Sequence, residues 1–294
     1  KGHIPVKQIK TLVLDEADRM MDMGFMPQLR QIFEVIPVKR QNLLFSATMP
    51  PKVEHLMAEF LDFPDIIEVT PQATPAATVS QIVYEAPNFK TKINLVGKLL
   101  ADESLARVIV FTKTRQAAND LYKYLQRKEL GPANVLHANK AQNSRLAAIR
   151  AFREGELRVL VATDVAARGL DISQVSHVIN FDVPVQYEDY VHRIGRTGRA
   201  QQQGAAITLV NPAEVYHLQK IEQLIKQKIE RLPLPDGVEV PETPFEEQQQ
   251  MARAIDHQKK LLNPEYKGAF HEKKKKKPAH KPAKFPGRRK KRRR

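Results

Sequence analysis

Four short polar blocks of the sequence contain the residue types that chemistry on a polyphosphate requires. They are residues 15–18 (Asp-Glu-Ala-Asp), 46–48 (Ser-Ala-Thr), 167–171 (Ala-Arg-Gly-Leu-Asp) and 192–199 (His-Arg-Ile-Gly-Arg-Thr-Gly-Arg). The first block supplies carboxylate oxygens, which Mg²⁺ prefers as ligands, and an acid that can orient or deprotonate a water molecule. The last block supplies arginines, whose guanidinium groups bind phosphate oxygens in pairs. Together the blocks predict part of a site for a nucleoside triphosphate.

Taken singly, the acidic and basic blocks also have simpler interpretations. Asp15 and Glu16 are equally suited to the first turn of a helix, where the helix dipole favours negative charge. Arg193, Arg196 and Arg199 recur at every third residue, which puts them near one face of a helix or tight turn. Such a face can bind a polyphosphate or can be a solvated basic helix end. For the separate blocks both interpretations stay open.

A phosphate-binding loop is missing from the sequence. None of the 12 glycines belongs to the pattern Gly-x-x-x-x-Gly-Lys-Ser/Thr, and the nearest stretch, residues 97–99, lacks the hydroxyl group and the upstream glycine. The sequence also begins with Lys1 and has no signal-peptide pattern. We therefore expect these residues to be a segment of a longer protein.

Repeated alternation of strands and helices predicts the elements that position the four blocks. Short apolar runs predict strands at residues 11–14, 42–45, 66–69, 81–85, 108–111, 133–137, 159–162, 177–181 and 205–210. Helices are predicted between them, including residues 26–35, 52–60, 115–127, 213–229 and 245–262. This order is typical of α/β proteins with parallel sheets covered on both faces. Asp15, Ser46 and Thr163 each follow a predicted strand, at the edge where ligands bind in such sheets.

Breaks in the alternation predict the domain organisation. We expect an incomplete α/β lobe at residues 1–70, an interlobe linker rich in Pro, Ala and Thr at 71–80, and a complete lobe at 81–231. A C-terminal extension follows at 232–294, and its low-complexity end, 271–294, is predicted to be a basic disordered tail.

The net charge of +15 is concentrated in that tail. Residues 271–294 contain 14 of the 48 Lys and Arg residues and one of the 33 acids, a net charge of +13, so the other residues together carry only +2. A nucleic-acid site outside the tail must therefore depend on local geometry. The tail itself is interpreted as a non-specific RNA tether or as a solubilising segment.

Composition excludes several classes of protein. With no cysteine, the chain has no disulfide and no thiolate metal site, which fits a reducing compartment, and we expect a cytoplasmic location. No apolar run approaches the roughly 18 residues that span a bilayer, so no membrane partner is expected.

The motifs in order resemble a DEAD-box RNA helicase. They are residues 13–18, 45–48, 110–114, 161–164 with 167–171, and 192–199, and the flanking residues 22–25 and 41–46 are similar to the bacterial RhlE-like subgroup. The resemblance covers about residues 1 to 231. It implies two RecA-like lobes, ATP and Mg²⁺ as cofactors, and RNA as the partner.

The resemblance also implies individual roles at the ATP site. Asp15 would hold Mg²⁺ through water, Glu16 would position the hydrolytic water, and Arg196 and Arg199 would reach the γ-phosphate. The ribose would meet Asp171, with Gly169 beside it. Coupling of hydrolysis to strand separation would involve Asp18, Ser46, Thr48 and His192.

For RNA, the resemblance implies a backbone path along Thr114, Gln142, Arg145 and Thr163, and it implies that Phe111 packs beneath the arginine motif. Recognition would be tolerant of sequence, on single strands and short duplexes. ATP and RNA would close the cleft between the lobes, and hydrolysis would open it again after short duplexes are unwound locally. Because the phosphate loop is missing, we expect the segment alone to be inactive.

A second class of function stays open. It is a non-enzymatic RNA-binding or annealing module that uses the second lobe and the cationic tail. Unwinding of DNA is a third and weaker option, since the acidic block and residues 46–48 as spelled argue against it.

Overall fold

The structure is a computed structural model of the chain, and it describes residues 5–68, 79–167, 172, 175–198, 204–263, 265 and 266. The chain divides into two compact units, Lys1–Thr70 and Pro71–Arg294. Residues 71–78 of the predicted linker and the whole predicted tail, 271–294, lie outside the described residues. Val79 and Ser80, assigned to the linker above, are the first residues of a strand.

The first unit is a small parallel α/β layer. Its elements in order are β1 (Thr11–Leu14), α1 (Ala17–Asp22), α2 (Met26–Val35), β2 (Gln41–Leu44) and α3 (Pro51–Phe60). Strands β1 and β2 pair in parallel, with Thr11 opposite Gln41. The core is formed by one buried strand residue and apolar residues of the three helices, Leu14, Ala17, Met21, Leu29, Val53, Leu56 and Phe60. The positions of Asp15 and Ser46 at the ends of these strands follow directly from this pairing.

The prediction of a strand at residues 66–69 is wrong for residues 66–68, the part that the structure describes. Ile66, Ile67 and Glu68 form no strand, and the side chains of both isoleucines are largely exposed. An apolar run becomes a strand only where another strand supplies hydrogen-bond partners, and the described part of the first unit offers none here. Val69 lies outside the described residues.

The second unit is built on one seven-stranded parallel sheet with the order β5-β6-β4-β7-β8-β3-β9. Its strands are β3 (Val79–Glu85), β4 (Val108–Thr112), β5 (Ala133–Leu136), β6 (Val159–Thr163), β7 (His177–Asn180), β8 (Gly204–Val210) and β9 (Glu230–Leu232). Its helices are α4 (Phe89–Leu100), α5 (Arg115–Arg127), α6 (Gln142–Arg153), α7 (Asp164–Ala167), α8 (Tyr187–Ile194), α9 (Val215–Leu224) and α10 (Phe245–Leu262). The predicted α/β class with parallel sheets is confirmed.

Alternating residues of the central strands bury the sheet on both faces. Val108 and Val110 of β4 pack with the apolar sides of α4 and α5. Ile109 and Phe111, the alternate residues of the same strand, pack with α6 and α7. Helices α4 and α5 therefore cover one face of this half of the sheet, while α6 and α7 cover the other.

The segment after β9 is packed onto the second unit. Near the start of α10, the Glu247 carboxylate accepts the N–H of Phe89 at 2.7 Å. Near its end, the buried Gln258 side chain donates to the carbonyl of Ala213 at 2.8 Å. Both contacts fall where strands β3 and β8 have just ended. Within the described residues, no helix has the length and apolarity to cross a membrane.

Apart from residues 66–69, the predicted ends of elements agree closely with the structure except near the end of the second lobe. The helix predicted at residues 213–229 stops at Leu224, and the chain turns back through Lys226, whose φ is 54°. The buried Glu222 carboxylate then accepts the N–H of Ile229 at 3.1 Å, and strand β9, which the sequence analysis missed, pairs with β3. A three-residue edge strand has too little periodicity to be recognised.

The second unit should lose stability as the pH falls from about 7 toward 5. Burial lowers the pKa of His177, against a weaker opposing effect of Asp102, and burial also lowers the pKa of His217 and of His137. The unfolded chain, whose histidines titrate near pH 6.5, therefore binds more protons than the folded chain in this window. Acidification through pH 6.5 then favours unfolding.

The measurement is the midpoint of thermal unfolding by far-UV circular dichroism at pH 7.5 and 5.5. We expect a lower unfolding midpoint at pH 5.5 than at pH 7.5. The difference between the two midpoints should be smaller in His177→Asn. His257→Asn, at an exposed residue of α10, is the control and should keep the difference of the parent chain. An unfolding midpoint that rises at pH 5.5 would contradict this assignment.

Candidate functional site

The acidic block forms a strained turn at the carboxyl end of β1. Glu16 has φ 52° and ψ 48°, a left-handed conformation that is uncommon for residues with a side chain. Asp15 Oδ1 accepts the N–H of Glu16 at 2.9 Å, and the N–H of Ala17 donates to the carbonyl of Phe45 at 3.0 Å. These contacts hold the turn against the end of β2. Asp15 and Glu16 are both left exposed to solvent, and strain of this kind often occurs at functional residues.

Asp18 joins the acidic block to the Ser-Ala-Thr block. Its Oδ2 accepts hydrogen bonds from the N–H and the Oγ1 of Thr48, at 3.1 and 2.8 Å. Its own N–H donates to Ser46 Oγ at 3.1 Å, and that hydroxyl donates to the carbonyl of Thr48 at 2.7 Å. Two loops that follow neighbouring strands are thus tied together by one largely buried carboxylate.

The donor set of the acidic turn is suited to Mg²⁺ bound through water. Within the described residues no group of three or more His, Asp or Glu side chains could hold a metal ion. A single exposed carboxylate, that of Asp15, is nevertheless the kind of ligand that Mg²⁺ takes, because this ion keeps several waters and shares phosphate oxygens. The residues therefore fit an ion shared with a nucleotide and do not fit a closed protein cage.

Arg193, the first arginine of the basic block, is turned inward. Only 2% of its surface is exposed, and its Nε and Nη2 donate to the two oxygens of Asp164 at 2.7 and 2.8 Å. Its Nη1 donates to Asn180 Oδ1 and to the carbonyl of Asp182, at 3.1 and 2.8 Å. The guanidinium carbon lies 5.1 Å from the centre of the Phe111 ring, which confirms that Phe111 packs beneath the arginine motif.

Of the three arginines placed near one face of a helix or turn, Arg193 does not share an exposed face, because its side chain is buried. A buried guanidinium is costly unless it is paired with an acid and hydrogen-bonded, and Arg193 has four such hydrogen bonds within the second unit. Arg196 is half-buried in the turn after α8. Its backbone bonds to Arg193 and Val175, and Arg199 lies outside the described residues.

The turn that carries Arg196 is fixed by close packing. Thr197 Oγ1 donates to the carbonyl of Val175 at 2.6 Å. A Cβ at Gly204, the first residue of β8, would overlap Thr197 Oγ1 and the backbone nitrogen of Gly198, so only glycine fits. His192, in the last turn of α8, is exposed and lies 4.0 Å from the Asp189 carboxylate. Gly169 and Asp171 lie outside the described residues.

The four residues expected on the RNA path occur at one edge of the second sheet. Thr163 ends β6 beside Thr112 of β4, and Thr114 caps α5 by accepting the N–H of Ala117 at 3.1 Å. Thr114 is exposed, whereas Thr163 is buried. An exposed hydroxyl and the free first turn of a helix can meet a phosphate at this edge.

Gln142 and Arg145 occupy the first turn of α6. Arg145 Nη1 donates to Gln142 Oε1 at 2.9 Å, and its Nη2 lies 3.3 Å from the carbonyl of Ala166 in α7. This contact places the pair beside α7, the helix that follows Thr163. This arrangement brings a cation and an amide beside the carboxyl ends of β4 and β6.

The sequence analysis missed a group of buried charges beneath this edge. The 1%-exposed Lys92 lies 2.6 Å from Glu214 and 3.6 Å from Asp182, and it donates to the carbonyl of Phe181 at 2.7 Å. Asp182 also accepts the N–H of Lys113, next to Thr114, at 2.7 Å. A signal was available, because Asp182 directly follows the strand predicted at residues 177–181, as Asp15 follows β1. Nothing in the helical pattern marks Lys92 as buried.

The stretch nearest to a phosphate loop in sequence is a helix. Gly97 and Lys98 lie within α4, and Gly97 is buried against the Tyr124 ring. A helix interior has no free N–H groups with which to bind phosphates. These residues are therefore not a nucleotide-binding loop.

The fold and the site define a class of protein with RecA-like parallel-sheet lobes that carry acidic, hydroxyl and arginine motifs on the loops after their strands. Comparisons with known proteins agree. Residues 1–56 match the family described as DEAD/DEAH box helicase, and residues 91–201 match the helicase conserved C-terminal domain. The chain is 40% identical over 235 residues to the DEAD-box ATP-dependent RNA helicase CshA of Geobacillus kaustophilus, an alignment that covers 80% of this chain and 50% of the relative. It is 42% identical over 226 residues to RhpA of Helicobacter pylori, with 77% and 46% covered.

Solved structures are similar as well. Dbp5 of S. cerevisiae, bound to RNA and ADP BeF3, matches with a TM-score of 0.70 and 29% identity, over 86% of this chain and 65% of that chain. The DEAD-box protein SrmB of E. coli, bound to the regulator of ribonuclease activity A, matches with a TM-score of 0.51 and 39% identity, over 56% of this chain and 97% of that chain. The chain belongs to the family of DEAD-box ATP-dependent RNA helicases. It spans about half the length of the curated relatives that it matches.

Removing the Asp18 carboxylate should loosen the loop after β2. Asp18→Ala deletes both hydrogen bonds that Asp18 accepts from Thr48, and bonds to a charged group contribute about 1.5–3 kcal/mol each. For a net loss of about 2 kcal/mol we expect amide exchange at Thr48 to become about 30-fold faster. Asp15→Ala is the control, since Asp15 bonds only to the N–H of Glu16 among described residues and should leave this rate unchanged. Unaltered protection of Thr48 in Asp18→Ala would refute the link.

Proposed function

We propose that this chain is the later part of an ATP-dependent RNA helicase of the RhlE-like subgroup, which opens short RNA duplexes locally while it hydrolyses ATP. The observation that carries the proposal is the connection of Asp18 to Ser46 and Thr48, because it joins an exposed acidic turn to a second loop in a chain of this family. The expected cytoplasmic location belongs to the same proposal.

At the acidic turn, one carboxylate would bind the metal ion and the next would orient the attacking water for phosphoryl transfer. Asp15 would hold Mg²⁺ through water, and when bound the ion neutralises charge on the phosphates. Glu16, held in its strained conformation beside Asp15, would orient the attacking water. The left-handed backbone of Glu16 and its exposure leave the carboxylate on the solvent side of the turn, where a water molecule can reach it.

In the second unit, Arg196 and Arg199 would meet the γ-phosphate, and Asp171 with Gly169 would meet the ribose. The inward-facing Arg193 supports this assignment, because its contacts with Asp164 and Asn180 fix the end of α8 from which the turn of Arg196 begins. Arginine supplied to a phosphoryl transfer contributes about 10³ to 10⁵ in rate. Acids on one lobe and arginines on the other can act together only when the lobes close around ATP and RNA.

RNA would run along the carboxyl edge of β4 and β6, past Thr114, Gln142, Arg145 and Thr163. Contacts of this kind reach the sugar-phosphate backbone, so recognition would be tolerant of base sequence. Ser46, Thr48, Asp18 and His192 would couple closure of the lobes to the hydrolytic step. The bonds that hold the first three together support that coupling.

The 294-residue chain should not hydrolyse ATP, since its sequence has no phosphate loop to bind the β- and γ-phosphates. We expect phosphate release in the presence of RNA to equal that of Glu16→Gln, the matched control for contaminating activity. RNA-stimulated release that Glu16→Gln abolishes would contradict this. In an extended protein that joins this chain to a phosphate-loop segment of the same family, activity should appear, and Arg196→Ala should lower kcat by about 10³.

The tail should bind RNA without sequence preference. If about half of its 14 cations contact phosphates, the slope of log K against log salt on a single strand contains a contribution of about −5 from the tail. We expect a chain without residues 271–294 to lose this part of the slope with a 20-nucleotide RNA. A chain with the 14 cations replaced by Gln is the length-matched control and should behave like the deletion. An unchanged slope would make the tail a solubilising segment.

A non-enzymatic RNA-binding or annealing module is the second candidate. It is favoured by the second unit, whose seven-stranded sheet is covered on both faces, together with the cationic tail. The extended protein distinguishes the two functions. Absence of RNA-stimulated ATP hydrolysis there, with RNA affinity intact, would select the module.

A further inference from the structure

A groove of about 840 Å³ lies between α4, α5 and the turn near Gly237, away from the residues assigned above. Its size is in the range of binding sites. Phe89, Ile93 and Tyr124 supply apolar surface on the two helices. No residue proposed for ATP, Mg²⁺ or RNA lines it.

The charge of the groove is strongly positive. Four lysines and one arginine line it, Lys90, Lys98, Lys123, Lys128 and Arg127, against two acids, Asp120 and Glu239. The four lysines are exposed, and no described carboxylate lies within 4.0 Å of any of their amines. Since the chain outside the tail carries only +2, this cluster is a local concentration of unpaired cations.

The walls of the groove are held by packing and hydrogen bonds. Tyr124 lies directly over Gly97, where a Cβ would come within 2.6 Å of the tyrosine hydroxyl, so the absence of a side chain lets the two helices approach. On the other side, Asn94 Nδ2 donates to the carbonyl of Glu239 at 3.0 Å and fixes the segment after β9 along α4. The concave surface is therefore preformed.

The groove and the proposed RNA path occupy different sides of the sheet. Helices α4 and α5 pack on the face formed by Val108 and Val110, whereas α6, with Gln142 and Arg145, packs on the opposite face. An RNA strand at the carboxyl edge does not run through the groove. Cations around an apolar floor on this face match a ligand that carries both carboxylates and an apolar side chain.

We propose that this groove binds an acidic peptide segment of a partner protein, with its carboxylates on the lysines and an apolar side chain against Ile93 and Tyr124. This inference is independent of the proposed helicase activity. It adds a protein-binding surface on the face of the second unit that α4 and α5 cover.

The test measures binding of labelled synthetic peptides to the 294-residue chain by fluorescence anisotropy. The probes are a 12-residue peptide of Asp and Glu with one central Phe and Leu, the same peptide with Ser at the two apolar positions, and a Lys-rich peptide. The variant Lys98→Glu/Lys123→Glu reverses two groove charges. Lys52→Glu/Lys260→Glu, at exposed positions of α3 and α10 outside the groove, is the charge-matched control, and both variants keep the cationic tail.

We expect the acidic peptide with Phe and Leu to bind, and Lys98→Glu/Lys123→Glu to weaken it at least about tenfold in low salt. Lys52→Glu/Lys260→Glu should change its affinity less than twofold, the Ser peptide should bind more weakly, and the affinity for single-stranded RNA should be unchanged. Equal binding of the acidic peptide by the groove variant and the control would overturn the proposal. So would a selective loss of RNA affinity in the groove variant, which would make the groove a nucleic-acid surface.

Discussion

The buried ion pair of Arg193 and Asp164 is the interaction on which the site of the second unit depends. It joins the end of α8 to the start of α7, and the same guanidinium bonds to Asn180 at the end of β7 and stacks on Phe111 of β4. Three neighbouring strands of the sheet, β6, β4 and β7, thus meet at one side chain. A buried charge without its partner is costly, so the ends of these three strands are held in one arrangement around the guanidinium.

A similar constraint operates in the first unit on a smaller scale. The Asp18 carboxylate accepts a hydrogen bond from Thr48, and the Asp18 N–H donates to Ser46. The loops after two neighbouring strands are therefore tied together. In both units a carboxylate shortly after a strand acts as the fixed partner, and more exposed polar residues lie beside it. Burial alone separates the carboxylate that braces the two loops from the two exposed carboxylates that we propose to meet ligands. Asp15 and Glu16 are exposed, whereas Asp18 is not.

The sequence predicts the repeated elements well because each has a strong local signal. Buried parallel strands are continuous apolar runs, and the bounds of α2 and α5 follow from helical periodicity. The signal fails where the outcome depends on distant partners. Residues 66–68 have the apolar character of a strand but no neighbour to pair with, and β9 is too short to be seen without β3.

The candidate site shows the same limit. Order and spacing indicate that Asp15, Ser46 and Thr163 follow the ends of strands in their own units. The recurrence of arginine at every third residue does not reveal which arginine turns inward. That choice depends on Asp164 and Asn180, which are distant in sequence and become neighbours only through the strand order. Lys92 is buried for the same reason, because its partners Asp182 and Glu214 come from other strand ends.

The most direct measurement is a double-mutant cycle on Arg193 and Asp164, with Arg193→Met, Asp164→Asn and the combined variant followed by urea unfolding with circular dichroism. The account predicts that each single change costs about 3 kcal/mol or more and that the pair couples by about 2 kcal/mol, so the combined variant loses much less than the sum. Additive losses, with coupling below about 0.5 kcal/mol, would contradict the claim that this ion pair organises the lobe.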